Sequence, residues 1–390
     1  MQQPRHRRYR SKIRVRLSIL WTFHHPVLGL LSPQVPLFQA LKSFLLSYYK
    51  GKKNTELNDE LVFIFCTLDE YKINVLTDTT SNHNLYTIAF YNLENLFDIE
   101  NTDEVLDRDY TPTGKNKWNK KRYHRKLNQL SKVISQIGLE ETGFSPAIIG
   151  IAEVENRQVI NDLLSKDELK DKGYEIVHFD SPDERGIDVA FLYRKNVFEL
   201  IHKESITLFI DNLNGVRDQT RDVLLVKGKL QGKLIYFFVN HWPSRREDGD
   251  TEYKRIKAAQ LIHQSIEKIK KETPNPNIII MGDFNDDPTN TSIKQYLLTE
   301  DFYNPYESIF DKGFGTSTHR RQWHLFDQII LSKNLIKATD FSFKEAHIFN
   351  PEFLKEWKGK HKGRPFRTYI GPWFQGGYSD HFPVYVTVQL

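Results

Sequence analysis

Short apolar runs that end in polar residues constrain this chain more than any other feature of its sequence. After residue 84 they have the length of β-strands, and several are apolar throughout, as is typical of strands covered on both faces. They are "LYTIAFYN" (85–92), "AIIGIAEV" (147–154), "IDVAFLY" (187–193), "VLLVKGKL" (223–230), "LIYFFVN" (234–240), "NIIIMGDF" (277–284), "LFDQIIL" (325–331) and "FPVYVTV" (382–388). This pattern predicts sheets that lie inside a layered fold.

Helical periodicity occurs between the strands, where apolar residues recur at spacings of three and four and give each helix one apolar face. The two clearest sets are Tyr123, Leu127, Leu130, Ile134 and Ile137, and Ala259, Ile262, Ile266 and Ile269. No linker rich in Gly, Ser or Pro follows residue 84. We therefore expect one α/β domain over residues 84–390, with its sheets covered by helices.

The charge of the chain is distributed unevenly. Residues 1–53 hold 11 of the 55 Lys and Arg and no Asp or Glu, which leaves 44 basic against 50 acidic residues in the remainder. Tight nonspecific binding to nucleic acid usually needs a basic face on the folded domain, and the overall charge does not indicate one. The single cysteine, Cys66, excludes an intramolecular disulfide and a thiolate metal cluster.

The N-terminal segment is similar to a secretory signal, because basic residues precede the apolar stretch "LSILWTFHHPVLGLLS". His24, His25 and Pro26 interrupt that stretch, and no small-x-small cleavage site follows cleanly. We predict that residues 1–83 are a basic extension, poorly ordered or outside the catalytic domain. No run is long enough to span a membrane, so we expect a cytoplasmic protein, or a secreted or periplasmic one if the segment is a signal.

Polar residues of the metal-ligand and acid/base types fall at the ends of these strands. At the ends of strands lie Asn92, Glu94, Glu153, Asn240, His241, Asp283 and Asn285; Asp327 lies within a strand, and Asp380 and His381 begin the last one. Each one alone has an adequate structural explanation, such as turn formation or a satisfied buried histidine. Their joint occurrence predicts a functional site, since strands deliver such residues to one rim from distant positions.

A family resemblance rests on these same segments. "AFYNLENLFD", "IGIAEVEN", "RGIDVAFLYR", "VNHWPSR", "MGDFND" and "GYSDHFPVYV" resemble, in this order, the motifs of the endonuclease/exonuclease/phosphatase superfamily, the metal-dependent phosphodiesterases related to pancreatic-type deoxyribonuclease. The resemblance covers about residues 85–390. It implies a four-layer α/β/β/α sandwich of two mixed β-sheets flanked by helices. It also implies hydrolysis of phosphate esters with Mg²⁺ or Mn²⁺.

The resemblance implies a role for each matching residue. Glu153 is the first candidate metal ligand, Asn92 adds a neutral oxygen, and Asp380 completes the set. His381 would lie at the scissile phosphate, with Asp327 hydrogen-bonded to its imidazole.

Three further residues are assigned in the same way. Asn285 would donate to the developing oxyanion, and His241 would protonate the leaving oxygen. Asp283 would position the attacking water or serve as its base. The base is either Asp283 or His381, and the sequence does not choose between them.

The substrate is a phosphate compound, and the sequence favours nucleic acid. Candidate phosphate-binding residues are Arg185, Arg221, Arg245 and Arg367, with surface solvation or structural ion pairing as the alternative for each. Residues 351–377, "PEFLKEWKGKHKGRPFRTYIGPWFQGG", mix basic and aromatic side chains and end at the Ser-Asp-His turn. We call this candidate the substrate loop, because cations suit phosphates and aromatic rings stack on bases. The alternative is an exposed loop whose aromatic side chains only anchor it to the core.

Three functions follow from this reading. The first is a metal-dependent nuclease, and the second is a sphingomyelinase-like or inositol-phosphatase-like enzyme acting on phospholipid or small phosphates. The third is an inactive binding scaffold, which is disfavoured because every expected catalytic residue type is present. No obligate protein partner is indicated.

Overall fold

The apolar runs form the central strands of two sheets. The structure is a computed structural model that describes residues 84–100, 106–212, 215–245 and 251–390. Its strands are β1 (Leu85–Leu96), β2 (Ile148–Val154), β3 (Tyr174–His178), β4 (Asp188–Arg194), β5 (Phe198–Ile206), β6 (Ile210–Asp211), β7 (Arg217–Asp218), β8 (Val223–Leu230), β9 (Lys233–His241), β10 (Ile278–Asp283), β11 (Phe302–Tyr303), β12 (Ser317–His319), β13 (Gln322–His324), β14 (Asp327–Ser332), β15 (Ser342–Ile348), β16 (Tyr369–Ile370), β17 (Trp373–Phe374) and β18 (Val384–Gln389).

Each large sheet has six strands and mixes parallel with antiparallel pairing. The first sheet runs in the order β15-β18-β1-β2-β4-β3, and the second in the order β11-β14-β10-β9-β8-β5. In the first sheet β1 and β2 are parallel, and in the second β9 and β10 are parallel. The carboxyl ends of each parallel pair therefore lie at one edge of their sheet.

The two sheets pack face to face through alternate residues of their strands. Phe90 faces the core between the sheets, whereas Ala89 faces outward toward a helix, as the two-residue period of a strand requires. Phe191 and Phe237 meet across the interface with ring centroids 5.2 Å apart. At Gly150 the sheets approach so closely that a Cβ atom would lie 2.7 Å from the Met281 sulfur.

Helices cover the outer faces and complete four layers. They are α1 (Lys120–Gln136), α2 (Leu139–Thr142), α3 (Arg157–Leu164), α4 (Glu252–Glu272), α5 (Glu307–Asp311) and α6 (Lys333–Lys337), with a π-helical segment at Ser292–Leu297 and short 3₁₀ turns at Arg108–Tyr110, Glu352–Leu354 and Gly359–His361. Helix α1 packs on the first sheet and α4 on the second, through the apolar faces identified in the sequence. The predicted α/β/β/α sandwich is confirmed.

Helix α1 begins where its sequence supplies a cap. The side chain of Asn119 accepts hydrogen bonds from the backbone N–H groups of Lys121 and Arg122, at 3.1 Å and 3.2 Å. These bonds satisfy donors that the first turn of a helix otherwise leaves unpaired. The start of α1 is therefore defined by its own sequence.

The predictions for residues 1–83, including the possible signal and the cellular location that depends on it, lie outside the described residues. Among the described helices, none combines the length and the apolar character needed to cross a membrane.

Candidate active site

Strand ends from the two sheets meet at one edge of the sandwich. Asn92, near the end of β1, donates from Nδ2 to Oδ2 of Asp283, the last residue of β10, at 2.9 Å. Glu153, near the end of β2, has Oε1 3.7 Å from Nε2 of His241, the last residue of β9. Each contact joins one sheet to the other, so residues far apart in sequence form a single cluster.

Glu153 reaches this cluster through an irregular backbone. Its φ is 63°, and the pairing of β2 with β4 shifts register between Ala152 and Val154. A β-bulge of this kind re-aims a side chain, and left-handed backbone at a non-glycine residue is commonly found at functional sites. The neighbouring β1 has a matching irregularity, with Glu94 and Asn95 at φ values of 53° and 52°. Both strand ends are therefore strained where they carry polar residues.

The Glu153 carboxylate has little compensation for its charge. It is largely buried and accepts one hydrogen bond, at 2.8 Å, from the backbone N–H of Asn95. Among the described residues, no lysine or arginine forms a salt bridge with it, and its nearest basic group is the His241 imidazole. A buried, unpaired carboxylate of this kind suits a cation.

The Ser-Asp-His turn is fixed by hydrogen bonds to β1 and to its own chain. Ser379 Oγ donates to the backbone oxygen of Asn92 at 2.7 Å and accepts from the His381 N–H at 3.1 Å. Gly377, just before the turn, lies so close to the loop that a Cβ atom would be 2.1 Å from the Phe366 oxygen. A glycine is therefore needed for the chain to enter the turn at this position.

His381 pairs with Asp327 through Nδ1, at 2.7 Å from Oδ2, while Nε2 lies 4.0 Å from Oδ2 of Asp283. Burial opposes a charge on this imidazole, but Asp327 and Asp283 outweigh it and hold the pKa of His381 well above its usual range. Asp327 also lies opposite Asp283 in the register of β10 and β14. His381 is therefore a charged group between two carboxylates.

Asp283 is the carboxylate at the centre of the cluster. Burial, with repulsion from Asp327, raises its pKa to about 6, although His381 and the donors of Asn285 and Asn92 act in the opposite direction. The Asn285 N–H donates to Asp283 Oδ1 at 2.9 Å. At neutral pH the group is ionised and remains a usable proton acceptor.

His241 is neutral in this setting. Burial and the positive charges of Arg221 and Arg185 lower its pKa well below the usual value. Its Nε2 lies 3.7 Å from Asp283 Oδ2, and its buried Nδ1 has no hydrogen-bond partner among the described residues. A neutral imidazole can donate one hydrogen bond here without adding a positive charge.

Asp380 differs from Glu153 because it has a cationic partner. Arg367 donates from Nη2 to Asp380 Oδ2 at 2.6 Å, and its Nε also donates to Glu94 Oε1 at 3.4 Å. Burial raises the pKa of Asp380, but Arg367 and His381 outweigh burial and lower it. Of the predicted metal ligands, Asp380 is thus the one whose charge is already balanced by an arginine.

The other predicted arginines lie in different surroundings. Arg221 is buried and donates to the backbone oxygens of His241 and Trp242 and to Asp183, so its guanidinium supports the loops behind the site. Arg245 donates to the Asn285 oxygen and forms an ion pair with Asp286 at 2.8 Å. Arg185 is partly exposed, 3.7 Å from Asp183.

Two buried charged residues were not among the predicted site residues. The sequence marks Glu94 only as a polar residue at a strand end, and no motif singles out Lys126. Lys126 lies three residues after Tyr123 and four before Leu130, on the apolar face of α1, and only 1% of it is exposed. The sequence signal for a buried charge was therefore a lysine at a helix position that otherwise carries apolar residues.

Comparison with known proteins shows the family of the chain. Residues 87–390 match the family model described as "Endonuclease/Exonuclease/phosphatase family". No curated protein matches the chain.

Solved structures with a similar fold include a D. rerio TDP2 humanized by 14 mutations, at 15% identity over 78% of this chain and 99% of that one, with a TM-score of 0.48. A mannosyl-6-phosphatase from Bacteroides thetaiotaomicron is 18% identical over 78% of this chain and 100% of its own, with a TM-score of 0.48. A truncated Caenorhabditis elegans TDP2 is 14% identical, over 78% and 98%, with a TM-score of 0.49. Because the family model spans nearly all of the described chain, the protein belongs to the endonuclease/exonuclease/phosphatase family, whose members hydrolyse phosphoester bonds and generally depend on a divalent metal ion.

Proposed function

We propose that residues 84–390 form a metal-dependent phosphodiester hydrolase that cleaves nucleic acid by attack of water on phosphorus. The observation that carries the proposal is the cluster at the strand ends. There the Asp283 carboxylate lies within 4.0 Å of two imidazoles, His381 and His241, and the uncompensated Glu153 is beside them. Within this proposal, these groups would supply the base, the hydrogen-bond donor and the phosphate-binding charge that the reaction needs.

The donor chemistry around Glu153 fits a hard divalent cation. Carboxylate and amide oxygens are the ligands that Mg²⁺ takes, and one or two carboxylates suffice because the substrate phosphate and water supply the rest. Glu153 and the Asn92 side-chain oxygen would hold the ion, with Asp380 as the third candidate. When bound, the ion would polarise a phosphoryl oxygen and neutralise the charge that develops on it.

The chain's own residues would carry the proton transfers. Asp283 is ionised near neutral pH and would accept the proton of the attacking water. His381, held as an imidazolium by Asp327, would bind the phosphoryl oxygens rather than act as the base. The alternative left open by the sequence is thereby resolved, within this proposal, in favour of Asp283.

Two neutral groups would complete the mechanism. His241 would donate a hydrogen bond from Nε2 to the departing oxygen, which would leave with the electron pair of the broken P–O bond and take its proton from solvent water, since burial disfavours a charged imidazole here. Asn285 donates one amide hydrogen to the Trp242 oxygen at 2.9 Å, which fixes the amide and leaves the second hydrogen for the phosphoryl group.

The substrate loop supports nucleic acid as the substrate. Phe366, Tyr369 and Phe374 pack against the core, whereas Trp357 and Trp373 are 68% and 72% exposed. Lys358 lies with its ammonium 4.2 Å from the centre of the Trp357 ring. Exposed indoles beside cations can stack on bases while the cations attract the phosphate backbone.

The same two tryptophans also favour a second candidate, a phosphodiesterase that acts on phospholipid. Exposed indole rings, with a lysine beside that of Trp357, suit the interface of a lipid bilayer as well as they suit bases. The two candidates share the catalytic cluster and differ in what the substrate loop contacts.

A substrate panel tests the proposal. Purified protein is incubated with supercoiled plasmid, single-stranded DNA, bis-p-nitrophenyl phosphate, p-nitrophenyl phosphate and sphingomyelin vesicles, each with Mg²⁺, with Mn²⁺ and with EDTA. We expect cleavage of DNA and of the small diester that EDTA abolishes. Cleavage of sphingomyelin but not DNA would support the lipid candidate, and no metal-dependent turnover of any substrate would contradict both.

A further inference from the structure

Lys126 is a buried cation outside the proposed catalytic cluster. Its ammonium donates to Thr368 Oγ1 and to the backbone oxygen of Tyr378, both at 2.6 Å, and lies 3.6 Å from Oε2 of Glu94. An ammonium in a protein interior is tolerated only when it is paired and its donors are satisfied. Here two oxygens accept hydrogen bonds from the ammonium, and the Glu94 carboxylate balances its charge.

Two of these partners are the two ends of one hairpin. Thr368 precedes strands β16 and β17, and Tyr378 follows them. The Gln375 N–H also donates to the Thr368 oxygen at 2.8 Å, which closes the base of the hairpin. Lys126 therefore fastens both ends of the hairpin of the substrate loop to helix α1.

The third partner begins a path of alternating charges that leads into the catalytic cluster. Glu94 is paired with Lys126 on one side and with Arg367 on the other, where Arg367 Nε lies 3.4 Å from Glu94 Oε1. Arg367 in turn contacts Asp380 at 2.6 Å, and Asp380 Oδ1 lies 4.0 Å from His381 Nε2. One guanidinium is thus shared between two carboxylates.

We propose that Lys126 is a positioning residue for catalysis, because it balances the charge of Glu94 and so leaves Arg367 to hold Asp380 beside His381. Lys126 touches no reacting group. Without its ammonium, Glu94 would have Arg367 as its remaining cationic partner in the described structure and would draw the guanidinium away from Asp380. The inference rests on the proposed hydrolysis only for its kinetic test.

The kinetic test uses Lys126→Met, Glu94→Gln and the double variant, with bis-p-nitrophenyl phosphate as substrate. We expect Lys126→Met to lower kcat by about 100-fold, the loss typical of a small misplacement of catalytic groups. The double variant should recover part of that loss, since a glutamine at position 94 no longer competes for Arg367. Because Glu94→Gln also removes the buried charge that Lys126→Met leaves unpaired, kcat is compared at a temperature at which circular dichroism shows every variant fully folded, so that recovery of stability does not contribute.

Lys121→Met is the matched control, because Lys121 is an exposed lysine in the first turn of the same helix. It should keep the activity of the unchanged protein. The proposal is overturned if Lys126→Met retains full kcat, or if the double variant is no more active than Lys126→Met.

A second measurement does not depend on turnover. Limited trypsin digestion of the folded variants should cut the substrate loop faster in Lys126→Met than in Lys121→Met, because the base of the hairpin has lost its anchor. Equal cleavage rates would contradict the anchoring. If the unchanged protein hydrolyses no substrate, the proposed function fails, and this digestion still decides whether Lys126 holds the hairpin.

Discussion

The strand-end cluster and the substrate loop lie side by side but are built in opposite ways. In the cluster, Asp283, Asp327 and His241 are buried and sit on adjacent strands of one sheet. In the loop, the only strands are the two-residue β16 and β17, and Trp357 and Trp373 extend into solvent. The first region depends on the regularity of the sheets, and the second on a few anchoring contacts.

This difference separates two tasks. Catalytic groups must be held within a fraction of an ångström, which strands supported by a packed core can do. Contacts with the rest of the substrate tolerate more variation, and loops on a rigid scaffold commonly provide them. Substitutions in the cluster should therefore affect every substrate, whereas substitutions in the loop should distinguish among substrates.

The largest effect is expected in the cluster. His381→Ala and Glu153→Gln should each lower kcat by about 10²–10³-fold on DNA and on bis-p-nitrophenyl phosphate alike, because the first removes a charge that binds the phosphoryl oxygens and the second removes a ligand of the metal ion. Steady-state kinetics with Mg²⁺ would measure the loss, and circular dichroism would show that the fold is intact.

His202→Ala and Glu199→Gln are the matched controls, since both residues are exposed on the edge strand β5. They should behave like the unchanged protein. If either cluster variant kept its activity on the small diester, the assignment of catalysis to the cluster and of substrate contacts to the loop would be wrong.

An intermediate effect is expected from pH. Asp283 must be ionised to accept a proton, and burial and Asp327 raise its pKa to about 6 from the ordinary 3.8. The logarithm of kcat/KM should therefore fall as the pH drops below about 6, for DNA and for the small diester equally. The exposed-carboxylate variant Asp167→Asn should keep the same profile. If the fall of log kcat/KM at low pH differed between the two substrates, the substrate loop, and not Asp283, would set the pH dependence.

The smallest effect is expected in the loop, and it should be selective. Trp373→Ala should weaken binding of single-stranded DNA by about 1–3 kcal/mol, the contribution of one stacked base, with no change in kcat/KM for bis-p-nitrophenyl phosphate. Fluorescence anisotropy with a labelled oligonucleotide would measure the binding. Phe209→Ala, at an exposed aromatic residue outside the loop, is the control. An equal loss on both substrates would mean that the hairpin supports the cluster rather than the substrate.

The central strands could be predicted from the sequence because their apolar runs are long and continuous. Strands β5 and β15 were not, and both lie at sheet edges, where one face is solvated and charged residues such as Lys203 and Glu345 interrupt the apolar pattern. Periodicity reports burial, so strands that are buried on one face only give a weaker signal.

For the candidate site, the sequence predicted the residues but not their partners. The residue types at strand ends, with the family motifs, indicated which side chains belong to the cluster. The partners of those side chains could not be predicted, because the bond from Arg367 to Asp380 and the burial of Arg221 depend on how distant loops pack. Lys126 escaped prediction for the same reason, since its three partners come from segments up to 252 residues away.

The close approach of the sheets at Gly150 limits which substitutions the core of this protein tolerates. The hydrogen bond from Asn92 to Asp283 spans the same gap between the sheets that Gly150 and Met281 fill. The distance between the sheets therefore determines both the packing of the core and the length of the hydrogen bond between Asn92 and Asp283. A substitution that widens the core by one methyl group would therefore also move Asp283 relative to Asn92, so the packing of the interior and the geometry of the candidate site cannot vary independently.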